Sequence, residues 1–278
     1  MSYGIIEKTL GENGIMEKKI SVLMGVYNCS ATLAEAINCI INQSYSNWEL
    51  IICDDCSQDD TYEKAISFKK LDSRIIVIRN EKNLTLAPTL NHCLLHATGE
   101  YVARMDGDDI CDDDRLRKEI EFLELHKEFD LVSCQMQMFD SKGVYRVNHP
   151  KEFPDKKDLV YGPPFCHAGC MIRTDVLRAV GGYNTSKDVE RIEDYDLWFR
   201  LYKNGFCGAN IIEPLYSMRD DRTEIKRSKM KHRRNSFHLR KKIIKEFHLP
   251  KRYYLRACYP ILVGLLPSFA YRIAHKLK

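Results

Sequence analysis

The sequence contains no hydrophobic run long enough to cross a membrane. Its longest apolar stretch, Ala257 to Tyr271, has 15 residues and is interrupted by Pro260 and Pro267. A helix that spans a bilayer needs ~20 apolar residues. Residues 1–19 likewise lack the apolar centre of a secretory signal peptide. We therefore expect a cytoplasmic protein without a spanning segment.

Cysteine pairs at metal-binding spacing are also scarce. Cys53 and Cys56 form one CxxC, but no second pair lies at the spacing that a zinc ribbon requires. The total of 11 cysteines is odd, and Cys39, Cys134 and Cys170 lie in apolar stretches. This usage is typical of buried, reduced thiols and argues against a disulfide framework.

Net charge is small for the whole chain but large in its two parts. The 278 residues include 43 Lys and Arg and 39 Asp and Glu, which gives a net charge of +4. Residues 222–278 hold 17 of the basic residues and two acidic ones, so they carry +15 and residues 1–221 carry −11. We therefore expect an anionic partner for the basic part of the chain.

The order of the hydrophobic patterns predicts an α/β fold. From Lys19 to Ile110, short β-branched runs alternate with amphipathic stretches. This alternation is typical of βαβ units around a mainly parallel sheet that is flanked by helices. The predicted strands are Ile20–Val26, Trp48–Cys53, Arg74–Arg79, Tyr101–Met105, Leu131–Met138 and Cys166–Ile172.

Helices are predicted in the intervals between these strands. Thr32 and Glu35 have the spacing of a capping box at the start of the first helix. The stretch from Ser141 to Pro164 contains four prolines and is expected to be a surface loop. The other helices are predicted after Asp60, over Leu86–Ala97, between Asp114 and His126, after Thr174 and over Asp194–Asn204.

The chain divides into three regions on composition. Residues 1–18 form a leader segment, residues 19–221 the α/β domain, and residues 222–278 a basic helical extension. Aromatic and aliphatic residues of the extension are flanked by Lys and Arg, a pattern typical of segments that lie in a membrane interface. The opposite charges of extension and domain also allow the extension to pack on the domain, and both hypotheses stay open.

Polar side chains follow three of the predicted strands. The carboxyl ends of parallel strands lie at one edge of an open sheet, where ligands bind. Several like charges at one edge repel each other, and a bound divalent cation relieves that repulsion. Oxygen ligands of this kind select Mg²⁺ or Mn²⁺, which bind carboxylates together with substrate phosphates. The residues are Asn28, Asp54, Asp55, Asp106, Asp108 and Asp109.

The stretch from Met105 to Asp109 is the strongest of these signals. Asp106 and Asp108 fall on the same side of an extended segment, and Gly107 allows the backbone to approach a ligand closely. The alternative is a solvated acidic turn in front of the next helix. The position of the stretch directly after an apolar strand favours a binding site.

A second acidic pair, Glu193 and Asp194, begins a predicted helix whose apolar face carries Leu197, Trp198 and Leu201. Carboxylates at a helix start serve as caps or interact with the helix dipole. A catalytic base needs the same rigid placement beside its substrate. The residues alone leave both roles open.

Together these motifs resemble the GT-A glycosyltransferases of family 2, inverting enzymes that include many bacterial polysaccharide sugar transferases. The resemblance implies a GT-A fold and the transfer of one hexosyl or N-acetylhexosaminyl unit from a nucleotide-diphosphate sugar, with a UDP-sugar expected. The acceptor would be a hydroxyl of a glycan or lipid-linked oligosaccharide in cell-surface polysaccharide synthesis. The resemblance extends from Ile20 to about Arg219 and is carried by SVLMGVYN, DDCSQDDT, NEKNLTLAPTLN, ATGEYVARMDGDD, FCHAGCMIR, VGGY and EDYDLWFRL.

The resemblance also implies roles for individual residues. Asp108, with Asp106, would ligate Mn²⁺ or Mg²⁺ at the donor diphosphate. Asp194 would be the general base that deprotonates the acceptor hydroxyl, and Glu193 is its alternative. The nucleotide-sugar would contact Val26, Tyr27, Asn28, Asp54, Asp55, Arg79, Asn83, Asp106, Gly107 and His167.

Two positions in the family-like segments need separate comment. A lone histidine on a strand, such as His167, is often a structural residue and not a substrate contact. Thr85 occupies a position where the family frequently has glycine, so we expect the backbone there to take a different turn.

Two other functions explain part of the pattern. A sugar-phosphate nucleotidyltransferase needs a glycine-rich phosphate loop after the first strand, and Gly25-Val26-Tyr27-Asn28 does not provide one. A nucleic-acid-binding protein would use the ten basic residues of Lys226–Lys245 but would leave the acidic edge of the domain without a role. The expected partners are therefore a nucleotide-sugar, a glycan or lipid-linked acceptor and the anionic inner face of the cell membrane, and no nucleic acid.

Overall fold

The structure is a computed structural model that describes residues 18–221 and 229–266. In these residues nine strands form one sheet, with helices on both faces. The strands are β1 (Ile20–Val26), β2 (Trp48–Asp54), β3 (Ile75–Arg79), β4 (Tyr101–Arg104), β5 (Ile110–Cys111), β6 (Leu131–Asp140), β7 (Gly143–Val147), β8 (Cys170–Arg173) and β9 (Gly208–Arg219). The helices are α1 (Leu33–Ile41), α2 (Thr61–Leu71), α3 (Leu86–His96), α4 (Arg115–Leu125), α5 (Thr174–Ala179), α6 (Glu193–Lys203), α7 (Met230–Glu246), α8 (Tyr253–Ala257) and α9 (Tyr259–Leu265).

The sheet has a parallel half and a mixed half. Its strands run in the order β3-β2-β1-β4-β8-β6-β9-β5, and β7 pairs with β6. β1 is parallel to β2 and β4, and β2 is parallel to β3, as helical crossovers between strands require. β8 is antiparallel to β4 and β6, whereas β9 is parallel to β6. The predicted α/β fold, a sheet flanked by helices, is confirmed.

Each face of the sheet has its own hydrophobic core, because successive residues of a strand point to opposite faces. Val22 and Met24 of β1 pack in one core with α1 and α4. Leu23 packs in the other core with α3, α6 and α7. The buried strands therefore hold the residues at their carboxyl ends in fixed positions.

The described part of the basic extension packs on the domain. Leu239, Ile243 and Ile244 of α7 belong to the same core as α6. Beyond α7, the leucines of α8 and α9 remain exposed. Within residues 18–221 and 229–266, no helix is both long and apolar enough to span a bilayer. The boundaries predicted at 18 and 221 stay predictions, because residues 1–17, 222–228 and 267–278 lie outside the described residues.

Two predictions about strands are wrong. The expected loop Ser141–Pro164 contains β7, which pairs antiparallel with β6. The four prolines on which that prediction rested all follow β7 in the sequence. The strand expected over Cys166–Ile172 begins only at Cys170. The Ser133 hydroxyl donates to the carbonyls of Cys166 and Gly169, which lie outside the strand ladder.

The capping prediction is wrong as well. The Thr32 hydroxyl hydrogen-bonds to the carbonyls of Cys29 and Gly107, at 3.3 and 3.0 Å, and caps no backbone N–H of α1. Thr174 is the first residue of α5, and its hydroxyl donates to the Gly99 carbonyl at 2.7 Å. Both hydroxyls therefore join distant segments instead of closing a helix end.

Candidate active site

Two clefts lie at the carboxyl ends of β1, β2 and β4 and meet at Leu86. The first cleft, of about 610 Å³, is lined by the end of β1, residues 83–89 and residues 184–193. The second, of about 690 Å³, is lined by the end of β4, the segment 148–168 and the start of α6. Glu193 lines the first cleft and Asp194 the second, so the start of α6 stands at their junction.

Asp55 anchors the loop that forms one wall of the first cleft. Its carboxylate accepts hydrogen bonds from the backbone N–H groups of Leu84 and Thr85, both at 2.8 Å. A third hydrogen bond comes from the Asn80 amide, also at 2.8 Å. Asn83 lines the same cleft in this loop. Asp55 therefore shapes the cleft wall through three hydrogen bonds within the protein.

Thr85 adopts a backbone conformation that only glycine takes without strain. Its φ is 73° and its ψ is 174°, in a region that is essentially restricted to glycine. The backbone therefore has a glycine-like conformation despite the Cβ of Thr85, and the expected difference from the family's turn stays a prediction. The hydrogen bond from its N–H to Asp55 is one of the contacts that hold this conformation.

Four of the predicted nucleotide-binding residues line neither cleft: Gly107, and the three residues Asn28, Asp54 and Arg79 around the turn after β2. Asp54 is fully buried, and its Oδ2 lies 3.0 Å from the Arg79 Nε. The same carboxylate accepts a hydrogen bond from the Ser57 N–H. Asn28 is exposed, and its side-chain oxygen accepts a hydrogen bond from the Gln58 N–H at 2.8 Å. These residues brace the turn after β2, next to the first cleft, whereas Val26 and Tyr27 line the cleft itself.

The space left by the missing side chain of Gly107 is filled by other residues of the protein. A Cβ at this position would lie 2.8 Å from Val26 Cγ1 and 3.0 Å from Cys29 Sγ. The backbone of the acidic stretch therefore packs directly against the end of β1. Of the two aspartates beside Gly107, Asp106 lines the second cleft, and Asp108 lines neither cleft.

Asp106, Asp108 and Asp109 form an acidic cluster at the end of β4. One carboxylate oxygen of each lies within 4.8 Å of the others. Asp109 is held by the Tyr216 hydroxyl at 2.8 Å and the Arg219 N–H at 2.7 Å. Burial and the charge of Asp106 raise the pKa of Asp109 to about 7, and the same two causes raise the pKa of Asp108.

The cluster has the chemistry of a divalent cation site. All of its donors are carboxylate oxygens, which suit Mg²⁺ and Mn²⁺. Burial is the larger cause of the raised pKa values of Asp108 and Asp109, and the charge of Asp106 is the second, so a bound cation would relieve part of this cost. Asp108 is exposed and available to such an ion, while Asp109 is already bound by two protein donors.

Arg104 belongs to the site but was not among the predicted site residues. It is the last residue of β4, only 1% exposed, and its Nη1 lies 2.6 Å from Asp106 Oδ1. Arg104 and Asp106 both line the second cleft. The available signal was a charged residue at the end of the otherwise apolar strand Tyr101–Arg104, directly before the acidic stretch.

Asp194 has the properties of a general base. It lies in the first turn of α6 and lines the second cleft together with Arg104 and Asp106. Burial, opposed in part by a hydrogen bond from the Tyr195 N–H, raises the pKa of Asp194 to about 6. A carboxylate with this pKa is ionised at neutral pH and is a stronger base than an ordinary aspartate.

His167 lines the second cleft in a neutral form. Burial, together with the nearby Arg104 guanidinium, holds the pKa of His167 well below its ordinary value. Its Nε2 is hydrogen-bonded to the Tyr183 hydroxyl at 3.0 Å, and its ring packs edge-on against Trp198. His167 is therefore held by contacts within the protein and also forms part of the wall of the second cleft.

The chain is similar in sequence to known proteins. Residues 21–181 match the model of a family described as glycosyl transferase family 2. The chain is 39% identical over 259 residues to a Bacillus subtilis (strain 168) protein with the provisional name glycosyltransferase EpsE, and the match covers 93% of each chain. It is 32% identical over 195 residues to an Escherichia coli protein, WfaP, covering 69% of this chain and 73% of that one. The full name of WfaP is UDP-Glc:alpha-D-GlcNAc-diphosphoundecaprenol beta-1,3-glucosyltransferase.

The fold is also found in solved structures. S. aureus TarS 1–349, in complex with UDP-GlcNAc, is similar with a TM-score of 0.66 and 18% sequence identity. The match covers 91% of this chain and 73% of that one. At this level of identity the similarity shows a shared fold.

Proposed function

This chain belongs to glycosyl transferase family 2, and we propose that it transfers one sugar from a UDP-sugar to a hydroxyl of a lipid-linked glycan, with inversion at the anomeric carbon. The observation that carries the proposal is the junction of the two clefts at the start of α6. There Asp194 lines the same cleft as Arg104 and Asp106. The UDP-Glc in the name of WfaP and the UDP-GlcNAc complex of TarS support a UDP-sugar donor.

The first cleft would bind the nucleotide. Val26, Tyr27, Asp55 and Asn83 line it, and the exposed ring of Tyr27 offers an apolar face to a base. Asn28, Asp54 and Arg79 would act as positioning residues, because their polar groups hold the turn after β2. Asp55 would set the cleft wall through its hydrogen bonds to the 83–85 loop.

Asp106 and Asp108 would hold a divalent cation, Mn²⁺ or Mg²⁺. When bound, the ion would stabilise the negative charge that develops on the departing diphosphate. Arg104 keeps one oxygen of Asp106 fixed, at 2.6 Å, and adds a buried positive charge to the same cleft. Asp109 supports the cluster through Tyr216 and Arg219 of β9.

Asp194 would be the general base of a single displacement. The acceptor hydroxyl oxygen forms a bond to the anomeric carbon, while the bond from that carbon to the diphosphate oxygen breaks. The hydroxyl proton passes to the Asp194 carboxylate, and UDP leaves. Attack from the face opposite the leaving group inverts the configuration. His167 would contact the sugar or acceptor in the second cleft.

The extension would hold the enzyme at the cytoplasmic face of the membrane. Residues 229–266 contain 11 Lys and Arg and one acidic residue, Glu246. Leu255 and Leu265 are 81% and 68% exposed on α8 and α9. Exposed leucines beside many basic residues suit a segment that lies on an anionic bilayer surface. A peripheral position there would bring the clefts close to lipid-linked acceptors.

The proposed function is tested by offering the purified protein UDP-Glc, UDP-GlcNAc and UDP-Gal, each with Mn²⁺ or Mg²⁺. A synthetic α-D-GlcNAc-diphosphate lipid is the acceptor probe. We expect acceptor-dependent release of UDP with at least one donor, and a β-linked product by NMR, because the donors are α-linked. No UDP release from any donor, with or without acceptor, or an α-linked product, would overturn the proposal.

A further inference from the structure

A groove of about 540 Å³ lies beside the second cleft, between the segment around Tyr161 and helices α8 and α9. We call it the basic groove. Two guanidinium groups belong to its lining, and among the residues that the structure describes no acidic side chain does. It is lined by Tyr161, Arg252, Tyr253, Leu255, Arg256, Tyr259 and Leu262.

Aromatic rings hold Arg256 in place. Its guanidinium carbon lies 5.1 Å from the centre of the Tyr161 ring and 4.6 Å from that of Tyr259. Contacts of a guanidinium with aromatic rings leave N–H groups able to donate hydrogen bonds. A guanidinium that is already positioned loses little side-chain freedom when it binds an anion. The basic groove therefore has the charge and the positioned donors that suit a phosphate group.

Tyr161 joins the basic groove to the second cleft, since it lines both. Arg240 links the two sides of this connection. It is buried, and its guanidinium donates to the backbone carbonyl of Tyr161 at 3.0 Å and to that of Arg256 at 3.3 Å. The wall shared by cleft and groove is thus tied to the helix that carries Arg256. A ligand that passes over Tyr161 can occupy both spaces at once.

Leucines of the basic groove are open to solvent. Leu255 and Leu262, which line it, are 81% and 59% exposed, and Leu265 of α9 is 68% exposed. The second cleft and the basic groove together therefore offer carboxylates, a shared tyrosine, two guanidinium groups and exposed leucines. A lipid-linked sugar carries groups that suit these surfaces: hydroxyls, a sugar ring, a diphosphate and a hydrocarbon chain.

We propose that the basic groove binds the diphosphate of a lipid-linked acceptor, with the acceptor sugar in the second cleft and the first part of the lipid along α8 and α9. This inference rests on the proposed function, because it requires the second cleft to be the acceptor side. Arg252 and Arg256 would donate hydrogen bonds to the phosphate oxygens, and Tyr161 would pack against the sugar. The diphosphate, more than the sugar, would then determine acceptor affinity.

The test uses the full-length protein and an Arg252→Ala/Arg256→Ala double variant. Lys242→Ala, at an exposed base of α7 outside the groove, is the matched control. Steady-state kinetics are measured with α-D-GlcNAc-diphosphate-decyl and with α-D-GlcNAc-decyl, which lacks the diphosphate. We expect the double variant to raise KM for the diphosphate acceptor roughly ten- to hundredfold, as loss of charge-assisted hydrogen bonds does. Its kcat, and its kinetics with the acceptor that lacks phosphate, should match those of Lys242→Ala.

Direct binding separates this inference from the proposed function. Fluorescent decyl diphosphate, with no sugar and no donor, should bind the wild type and Lys242→Ala equally and the double variant at least about tenfold more weakly. If binding changes in this way but no sugar is transferred to any acceptor, diphosphate binding in the basic groove is supported and the proposed reaction is wrong. Equal binding by all three proteins shows that the basic groove does not bind the diphosphate. A loss confined to phosphatidylglycerol vesicles, with decyl diphosphate binding unchanged, also overturns it, since the arginines would then serve only the bilayer surface.

Discussion

Replacement of Thr85 by glycine is expected to stabilise the protein. Thr85 is an exposed residue held at φ 73° and ψ 174°, where a Cβ is strained. A residue in such a region costs about 1–3 kcal/mol of folding free energy. Glycine removes this strain but makes the unfolded chain more flexible, which costs about 0.5–1 kcal/mol. The free energy of unfolding should therefore rise by about 1 kcal/mol.

Thr85→Ala is the matched control. Alanine removes the same exposed side-chain atoms but keeps the Cβ, so the strain remains and the free energy of unfolding should change by less than about 0.5 kcal/mol. Both variants are measured by equilibrium urea denaturation against the wild type. If glycine lowers the free energy of unfolding, or if alanine stabilises as much as glycine does, the strain at Thr85 is not what the backbone conformation indicates. UDP binding should stay close to that of the wild type, because Asp55 continues to hold the loop.

Three further predictions concern the clefts. The pKa of about 6 for Asp194 predicts that kcat/KM is constant above pH 6 and falls about tenfold per pH unit below it, because the base must be ionised. A pH profile of kcat/KM that stays constant down to pH 4.5 would contradict this. Asp108→Ala, like excess chelator on the wild type, should abolish transfer, as measured by product formation with Mn²⁺ or Mg²⁺ added back; full activity in either case would exclude the metal site. Asp55→Asn should lower the free energy of unfolding by about 0.5–1.5 kcal/mol and raise KM for the UDP-sugar, because one backbone N–H of the 83–85 loop loses its carboxylate acceptor. Urea denaturation and donor titration check this last prediction, and an unchanged KM would refute the role of Asp55 in the cleft wall.

The acidic residues of the site could be predicted because they follow strands whose own signal is strong. β1 and β2 are almost entirely buried and therefore read clearly as strands. Once they are placed in one parallel sheet, the positions after their carboxyl ends must lie at one edge. Asp55 and Asp106 were found by this reasoning. The start of α6 was found from its apolar face and the acids in front of it.

The supporting residues could not be predicted, because their partners are distant in the sequence. Tyr216 and Arg219 reach Asp109 only because β9 lies beside β5 and β6, more than 100 residues from the acidic stretch. No local pattern gives that pairing. Gly107 was predicted to face a ligand, but it faces Val26 and Cys29, since close packing of two loops has no sequence period. Thr85 shows the same limit: its N–H is bound by Asp55, which lies 30 residues away in the sequence, and no local pattern gives that contact.

The role of Asp194 as general base is tested most directly by single-turnover transfer in Asp194→Asn, with Glu193→Gln as the matched control. Both changes remove one negative charge from the first turn of α6, but only Asp194 lines the second cleft. Donor affinity is measured in parallel by calorimetry with the UDP-sugar. We predict that Asp194→Asn lowers the rate of transfer by about a hundredfold or more with the donor Kd within about twofold of the wild type, and that Glu193→Gln keeps the rate within about tenfold. Transfer by Asp194→Asn at the wild-type rate, or a hundredfold loss in Glu193→Gln alone, would contradict the assignment.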